Sequence, residues 1–88
     1  MDLQYGAEYE DFRRELQEFL ASWPPTGPEA ALPLDQQERW FRQQSIDRGY
    51  AYRDIPKQYG GSEQENDTLK ERIIVEEFSR SRAPLPSM

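Results

Sequence analysis

The chain has 88 residues, a net charge of −6, no histidine and no cysteine. That length predicts a single domain without a disulfide or thiolate metal staple, and the acidic balance disfavours both nucleic acid and an anionic membrane surface as partners. Apolar residues make up 35% of the chain, below the usual share of roughly 45–50%, so its two tryptophans, five tyrosines and four phenylalanines must supply much of the core.

A chain this short buries only about 60–65% of its unfolded surface. The composition therefore suits a small domain that leans on something larger. The aromatic content argues against disorder. No apolar run approaches the roughly 20 residues of a bilayer span. Met1-Asp2-Leu3-Gln4 has neither the basic nor the apolar region of a secretory signal. Cytoplasmic residence is the default expectation.

The first helix is predicted from about Glu8 to Ser22. Tyr5, Tyr9, Phe12, Leu16, Phe19, Leu20 and Trp23 form one stripe at a period near 3.6. Glu8, Glu10 and Asp11 suit the positive end of its dipole, and Glu10 can pair with Arg14. Pro24-Pro25 stops the helix. Pro24 to Pro33, with Pro28 and Gly27 between, reads as a loop.

The second helix is predicted from about Gln36 to Arg48. Asp35 is a suitable N-cap, with Glu38 completing a capping box. Trp40, Phe41, Gln44, Ser45 and Arg48 share a face. Asp35–Arg39 and Glu38–Arg42 can pair at i,i+4. Gly49 is placed for a left-handed C-cap. Tyr50 to Ser62 is a second connection, rich in aromatics, and should pack across helix ends. Gly60-Gly61 supplies backbone freedom.

The third helix is predicted from about Glu65 to Ser81. Ser62 with Glu65 can form a capping box, and Asp67 offers a later start. Leu69, Ile73, Ile74, Val75 and Phe78 carry its apolar character. At 100° per residue, Ile73-Ile74-Val75 covers about 200° of the helix circumference, so this half should be covered on more than one side. A strand through these β-branched residues is the alternative. Pro84 and Pro86 end the helix. The whole reads as all-α, a small bundle of about three helices.

Few side chains invite chemistry. Glu76-Glu77 is a carboxylate pair in sequence, but neighbours on a helix point about 100° apart. A solvated face with a Glu76–Arg80 pair is expected instead. Tyr59-Gly60-Gly61 lacks the spacing of a phosphate-cradling loop and reads as a turn. A Ser-His-Asp site needs the histidine this chain lacks, and no D-x-D-x-D-G calcium loop occurs. Arg13-Arg14 and Arg80-x-Arg82 are too sparse for a polyanion patch. No catalytic, cofactor-binding or metal-ligating residue is assigned.

The order of these elements resembles the N-terminal helical domain of the acyl-CoA dehydrogenases. The resemblance starts at Glu8–Leu20, with its Phe12-Arg13…Phe19-Leu20 pattern. It continues through the Gly-aromatic step Arg48-Gly49-Tyr50 and the turn Pro56-Lys57-Gln58-Tyr59-Gly60-Gly61. It closes on Glu76-Glu77-Phe78-Ser79-Arg80, followed by Ala83-Pro84-Leu85-Pro86. The ordered set spans nearly the whole chain. The polar run Ser62 to Asp67 departs from the family, which often continues with glycine and apolar residues, and the loop Pro24–Pro33 has no signature.

The resemblance implies the first quarter of a flavin-dependent enzyme that oxidises an acyl-CoA to the 2,3-enoyl-CoA. In that family a glutamate base takes the α-proton and FAD N5 accepts the β-hydride. A subunit has an N-terminal helical domain, a middle β-domain and a C-terminal helical bundle. FAD, the base and the acyl pocket belong mainly to the regions after Met88, so the 88 residues alone are not expected to be active or to bind FAD. Implied partners are the rest of the subunit, the acyl-CoA, electron-transfer flavoprotein and further copies in a homo-oligomer. A free-standing acidic helical interaction module, or an acidic helical regulator unrelated to the family, are the competing expectations.

Overall fold

The computed structural model describes residues 6–84. Tyr5 of the first stripe, and Leu85 and Pro86 of the closing motif, lie outside them. The architecture is all-α, with three helices and, among the described residues, no strand: α1 (Ala7–Leu20), α2 (Leu34–Asp47) and α3 (Thr68–Ser81). The Ile73-Ile74-Val75 run is therefore helical.

The 3.6-residue stripe folds α1 as expected, and Leu16, Phe19 and Leu20 are buried. The helix stops at Leu20, two residues short of the predicted end. There the bonding tightens to i→i−3: Ser22 N–H donates to Phe19 O and Trp23 N–H to Leu20 O. The Ser22 hydroxyl also donates to Phe19 O at 2.6 Å, competing with the helical ladder. A cis Trp23–Pro24 peptide follows. The predicted loop contains a 3₁₀ turn, Pro28–Ala31.

The start of α2 differs from expectation. Pro33 is the N-cap, no side chain caps the helix, and Asp35 lies in the first turn. Proline's fixed φ prepares this entry two residues earlier than Asp35 would. Asp35 then acts on the helix dipole rather than as a cap. Gln37 ties the start to the 3₁₀ turn, donating to Leu32 O at 2.8 Å and Ala30 O at 3.2 Å. The other end is as predicted. Gly49 has φ 83°, its N–H reaches Ile46 O, and Tyr50 N–H reaches Ser45 O. This is a Schellman motif.

Helix α3 takes the later of its two possible starts. Asp67 caps it, accepting from Lys70 N–H at 3.1 Å. Ser62 is not a cap: it is buried and its hydroxyl donates to Ala51 O at 2.9 Å. The second oxygen of Asp67 accepts from the Tyr9 hydroxyl of α1 at 3.0 Å. One carboxylate thus starts α3 and anchors α1.

The core lies where the three helices meet. Phe41 of α2 is fully buried. Phe19 stacks on it with centroids 4.9 Å apart, Trp23 leans on it at 5.1 Å and Phe78 meets it edge-on at 6.4 Å. Tyr50 closes the same cluster, 5.3 Å from Phe19 and 5.7 Å from Phe12. Such pairs add about 0.5–1.5 kcal/mol each beyond area burial. The bundle measures 49 × 29 × 17 Å along its principal axes. A slab this thin holds one shared core, so each helix keeps an outward face.

Candidate functional site

The sequence candidates resolve first. One guanidinium of α1 forks across Glu76 and Glu77: Arg13 Nη2 lies 3.0 Å from Glu76 Oε1, and Nη1 contacts Glu77 Oε2. Glu77 is only 3% exposed. It also accepts from Gln17 Nε2 at 3.3 Å, and Arg80 stands 3.7 Å away. The expected solvated face is therefore correct for Glu76 and wrong for Glu77, which turns under α1. Arg80 pairs with Glu77 rather than Glu76, and Glu76 takes Arg72 at 3.7 Å on its own helix. Partial burial opposes the charge on Arg13, but its bonds to Glu76 and Glu77 outweigh that and raise its pKa.

Asp67 and Tyr9 continue this polar seam. The Lys70 amide, and then the Tyr9 hydroxyl, favour the Asp67 carboxylate and lower its pKa; partial desolvation opposes them. The same hydrogen bond holds the proton on Tyr9 and raises its pKa. Glu8 stands 3.9 Å from Lys70. Arg14 pairs with Asp11 at 2.9 Å rather than with the expected Glu10. The seam is structural, and its carboxylates are spent on cations and amides. Among the described residues no group of three acidic side chains could hold a metal ion.

The double-glycine turn is also spent internally. Tyr59 and Gly61 N–H donate to Pro56 O, and Gly60 N–H donates to Lys57 O. The amides of Tyr59, Gly60 and Gly61 are thus all engaged within the turn. The two glycines answer different needs. Gly60 has φ 92° and open space around it, whereas a Cβ on Gly61 would stand 2.2 Å from Ile55 O. Gly60 serves conformation, and Gly61 serves close approach of two backbone segments.

That close approach builds a wall. The segment from Tyr50 to Gln64 folds back on itself: Ser62 N–H bonds Tyr52 O, Glu63 N–H bonds Ile55 O and Gln64 N–H bonds Arg53 O. Tyr52 and Glu63 hold φ of 49° and 51° without being glycine, local strain of the kind that collects at sites. The wall faces one side of α3, and between them lies a groove of about 810 Å³. Ile55, Ile74 and Val75 make it aliphatic, and Arg53, Asp54, Gln64, Glu71 and Arg72 make it polar, with charges of both signs. Val75 is 43% exposed there, beside buried Ile73 and Ile74. The predicted overhang of Ile73-Ile74-Val75 is thus covered by this chain on two residues out of three. Tyr59, 74% exposed, stands on the outer turn.

Sequence reasoning passed over Arg53. It is 9% exposed, with Nη1 donating to Gly49 O at 2.7 Å and Nη2 to Glu65 O at 3.4 Å. Gly49 O lies at the negative end of α2, which suits a cation. No simple sequence signal marks it, since Arg53-Asp54 reads as ordinary loop polarity.

A second cavity of about 530 Å³ lies between α1 and α2, with Glu15, Glu18 and Trp40 on its walls. The chain's own Arg48 reaches over the Phe19 ring at 5.4 Å. Burial, and then Glu15, raises the pKa of Tyr50 on its floor. No described helix is long and apolar enough to cross a membrane. Comparison of the chain with known protein families, curated proteins and solved structures finds no match.

Proposed function

We propose that this chain is the N-terminal helical part of a flavin-dependent acyl-CoA dehydrogenase. Its role there is scaffold: it packs against the rest of the subunit and helps enclose the acyl-CoA cavity. The observation that carries the reading is the ordered motif set, from Phe12-Arg13 through Tyr59-Gly60-Gly61 to Glu76-Glu77-Phe78-Ser79-Arg80. The open groove beside Val75 supports a packing role, because it is an aliphatic surface that this chain leaves half covered.

FAD, when bound, would accept the hydride. Among the described residues the buried polar side chains are Ser45, Arg53, Ser62 and Glu77. They bond to the chain's own carbonyls or, for Glu77, to its own cations and Gln17. Apart from the Arg53 Nε–H, their polar atoms are engaged within the chain, and on this reading the flavin contacts and the catalytic base would lie mainly after Met88. Cytoplasmic residence, a homo-oligomer and electron-transfer flavoprotein as acceptor belong to the same proposal.

The test is to express the polypeptide that the gene encodes to its natural stop. Copurified FAD, bleached by an acyl-CoA and reoxidised by electron-transfer flavoprotein, is the expected result. A product without FAD or acyl-CoA-dependent reduction would sink the reading. The exposed Val75 face equally favours a second reading, a free-standing acidic interaction module. An open reading frame ending at Met88 selects the module.

A further inference from the structure

Polar side chains are used unevenly across this fold. Along the seam of α1 and α3, Asp67, Glu76 and Glu77 each meet a cation, an amide or a hydroxyl. In the cavity between α1 and α2 the opposite holds. The side chains of Glu15, Glu18, Gln44 and Arg48 line it and make no hydrogen bond or ion pair among the described residues. Arg48 lies over the Phe19 ring, a contact that uses the face of the guanidinium and leaves its in-plane N–H groups for an acceptor. Tyr50 is only 7% exposed, its ring packed on Phe12 and Phe19. Its hydroxyl has no hydrogen-bond partner among the described residues. The charges that act on that hydroxyl are Glu15, Arg48 and Glu18, all on the cavity wall, so it faces the cavity. A buried and fixed polar group with no partner in the chain, turned to a cavity, points to a ligand.

We propose that this cavity binds a free basic amino acid, with lysine as its type. The α-carboxylate takes the N–H edge of Arg48 through two bonds. The two ammonium groups take Glu15 and Glu18, and Trp40 offers its ring to the side-chain cation. Residues three apart on a helix stand about 5–6 Å apart at Cβ, within the span of the two ammonium groups of lysine. The Tyr50 hydroxyl, both donor and acceptor, completes the head-group site. Charge of both signs selects this class. Two carboxylates and one guanidinium that do not pair with one another are the complement of two ammonium groups and one carboxylate. A neutral amino acid leaves one glutamate unmatched, a diamine sets like charge against Arg48, and a simple anion meets two carboxylates. The inference stands on the cavity and does not need the enzyme reading.

The experiment is calorimetric titration of the intact encoded polypeptide with L-lysine, which should give one saturable site. Norleucine lacks the side-chain ammonium, cadaverine lacks the carboxylate, and Nα-acetyl-lysine lacks the α-ammonium. Each should bind about tenfold more weakly or worse. Glu18→Gln and Arg48→Met should each weaken lysine by a similar factor, and Tyr50→Phe by less. Glu18→Gln and Tyr50→Phe should leave Tm nearly unchanged, because the groups they remove bond nothing in the chain. No saturable heat with lysine, equal binding of norleucine or cadaverine, or variants that bind lysine as the parent does would each overturn the site. Nα-acetyl-lysine binding as tightly as lysine would overturn the free amino acid and point to a lysine at the end of a partner chain. Flavin content reads the enzyme proposal separately. A flavoprotein that ignores lysine overturns this site alone, and a lysine-binding protein without flavin overturns the enzyme reading alone.

Discussion

The two long faces of α3 make a useful contrast. On the α1 side, Asp67, Lys70, Glu76 and Glu77 each meet a partner from α1: Tyr9, Glu8 and, for both glutamates, Arg13. On the other side, Val75 and the wall around Arg53 border a groove that this chain leaves open. The first face is finished within the chain. The second has the composition of an interior and the exposure of a surface. Completed polar networks mark where a fold closes on itself, and half-covered aliphatic residues mark where it can take a further contact.

The largest expected effect strikes the finished face. Arg13→Met strips the buried Glu77 of its main partner, with Gln17 and the exposed Arg80 remaining. Such a loss costs roughly 2–4 kcal/mol, read as a drop in the urea midpoint by circular dichroism. If stability hardly changes, the seam is decoration. Gly61→Ala comes next, because its Cβ would collide with the Ile55 carbonyl. About 1–3 kcal/mol is expected, and Gly60→Ala, which meets only backbone strain, should cost less in the same melts. Equal costs would mean that the groove wall is not held by close approach.

A smaller effect follows from pH. The lowered pKa of Asp67 lends stability that is present above the ordinary carboxylate range and lost as pH falls through the lowered value. The raised pKa of Tyr9 lends stability that is complete below about pH 10 and lost as pH rises through the higher folded value. Tyr9→Phe should therefore flatten both limbs of the Tm–pH profile, leaving the alkaline contribution of Tyr50 in place. An unchanged profile would break the link between α1 and the α3 cap. The smallest effect belongs to the open face. Val75→Gln should shift the stability of the 88-residue chain by less than about 0.5 kcal/mol, yet weaken the intact protein if the groove is filled there. A strong loss in the short chain would mean that Val75 already belongs to a core.

The helices were legible because an aromatic stripe such as Phe12, Leu16 and Phe19 has one reading at period 3.6. Gly49 was legible because a Schellman end needs a residue at positive φ. The helix starts were less so. Ser62 and Asp67 are both fit to cap, and the choice fell to Asp67 because Ser62 is taken by Ala51 O. Glu77 could not be told from Glu76 by type; only the position of α1 separates them. The overhang at Ile73-Ile74-Val75 did announce an exposed aliphatic face. Arg53 announced nothing, since its role depends on carbonyls of Gly49 and Glu65 that sequence spacing does not bring to mind.

The seam also has a consequence in time. The polar partners that hold α1 come 58 to 64 residues later in the chain. On the ribosome, α1 emerges long before Asp67 and Glu77 exist, with its aromatic stripe bare. A lone helix of 14 residues is marginal in water. Helix α1, made before α3, should therefore settle only once α3 arrives, and the interval between them is when a chaperone would find Phe12 and Phe19 exposed.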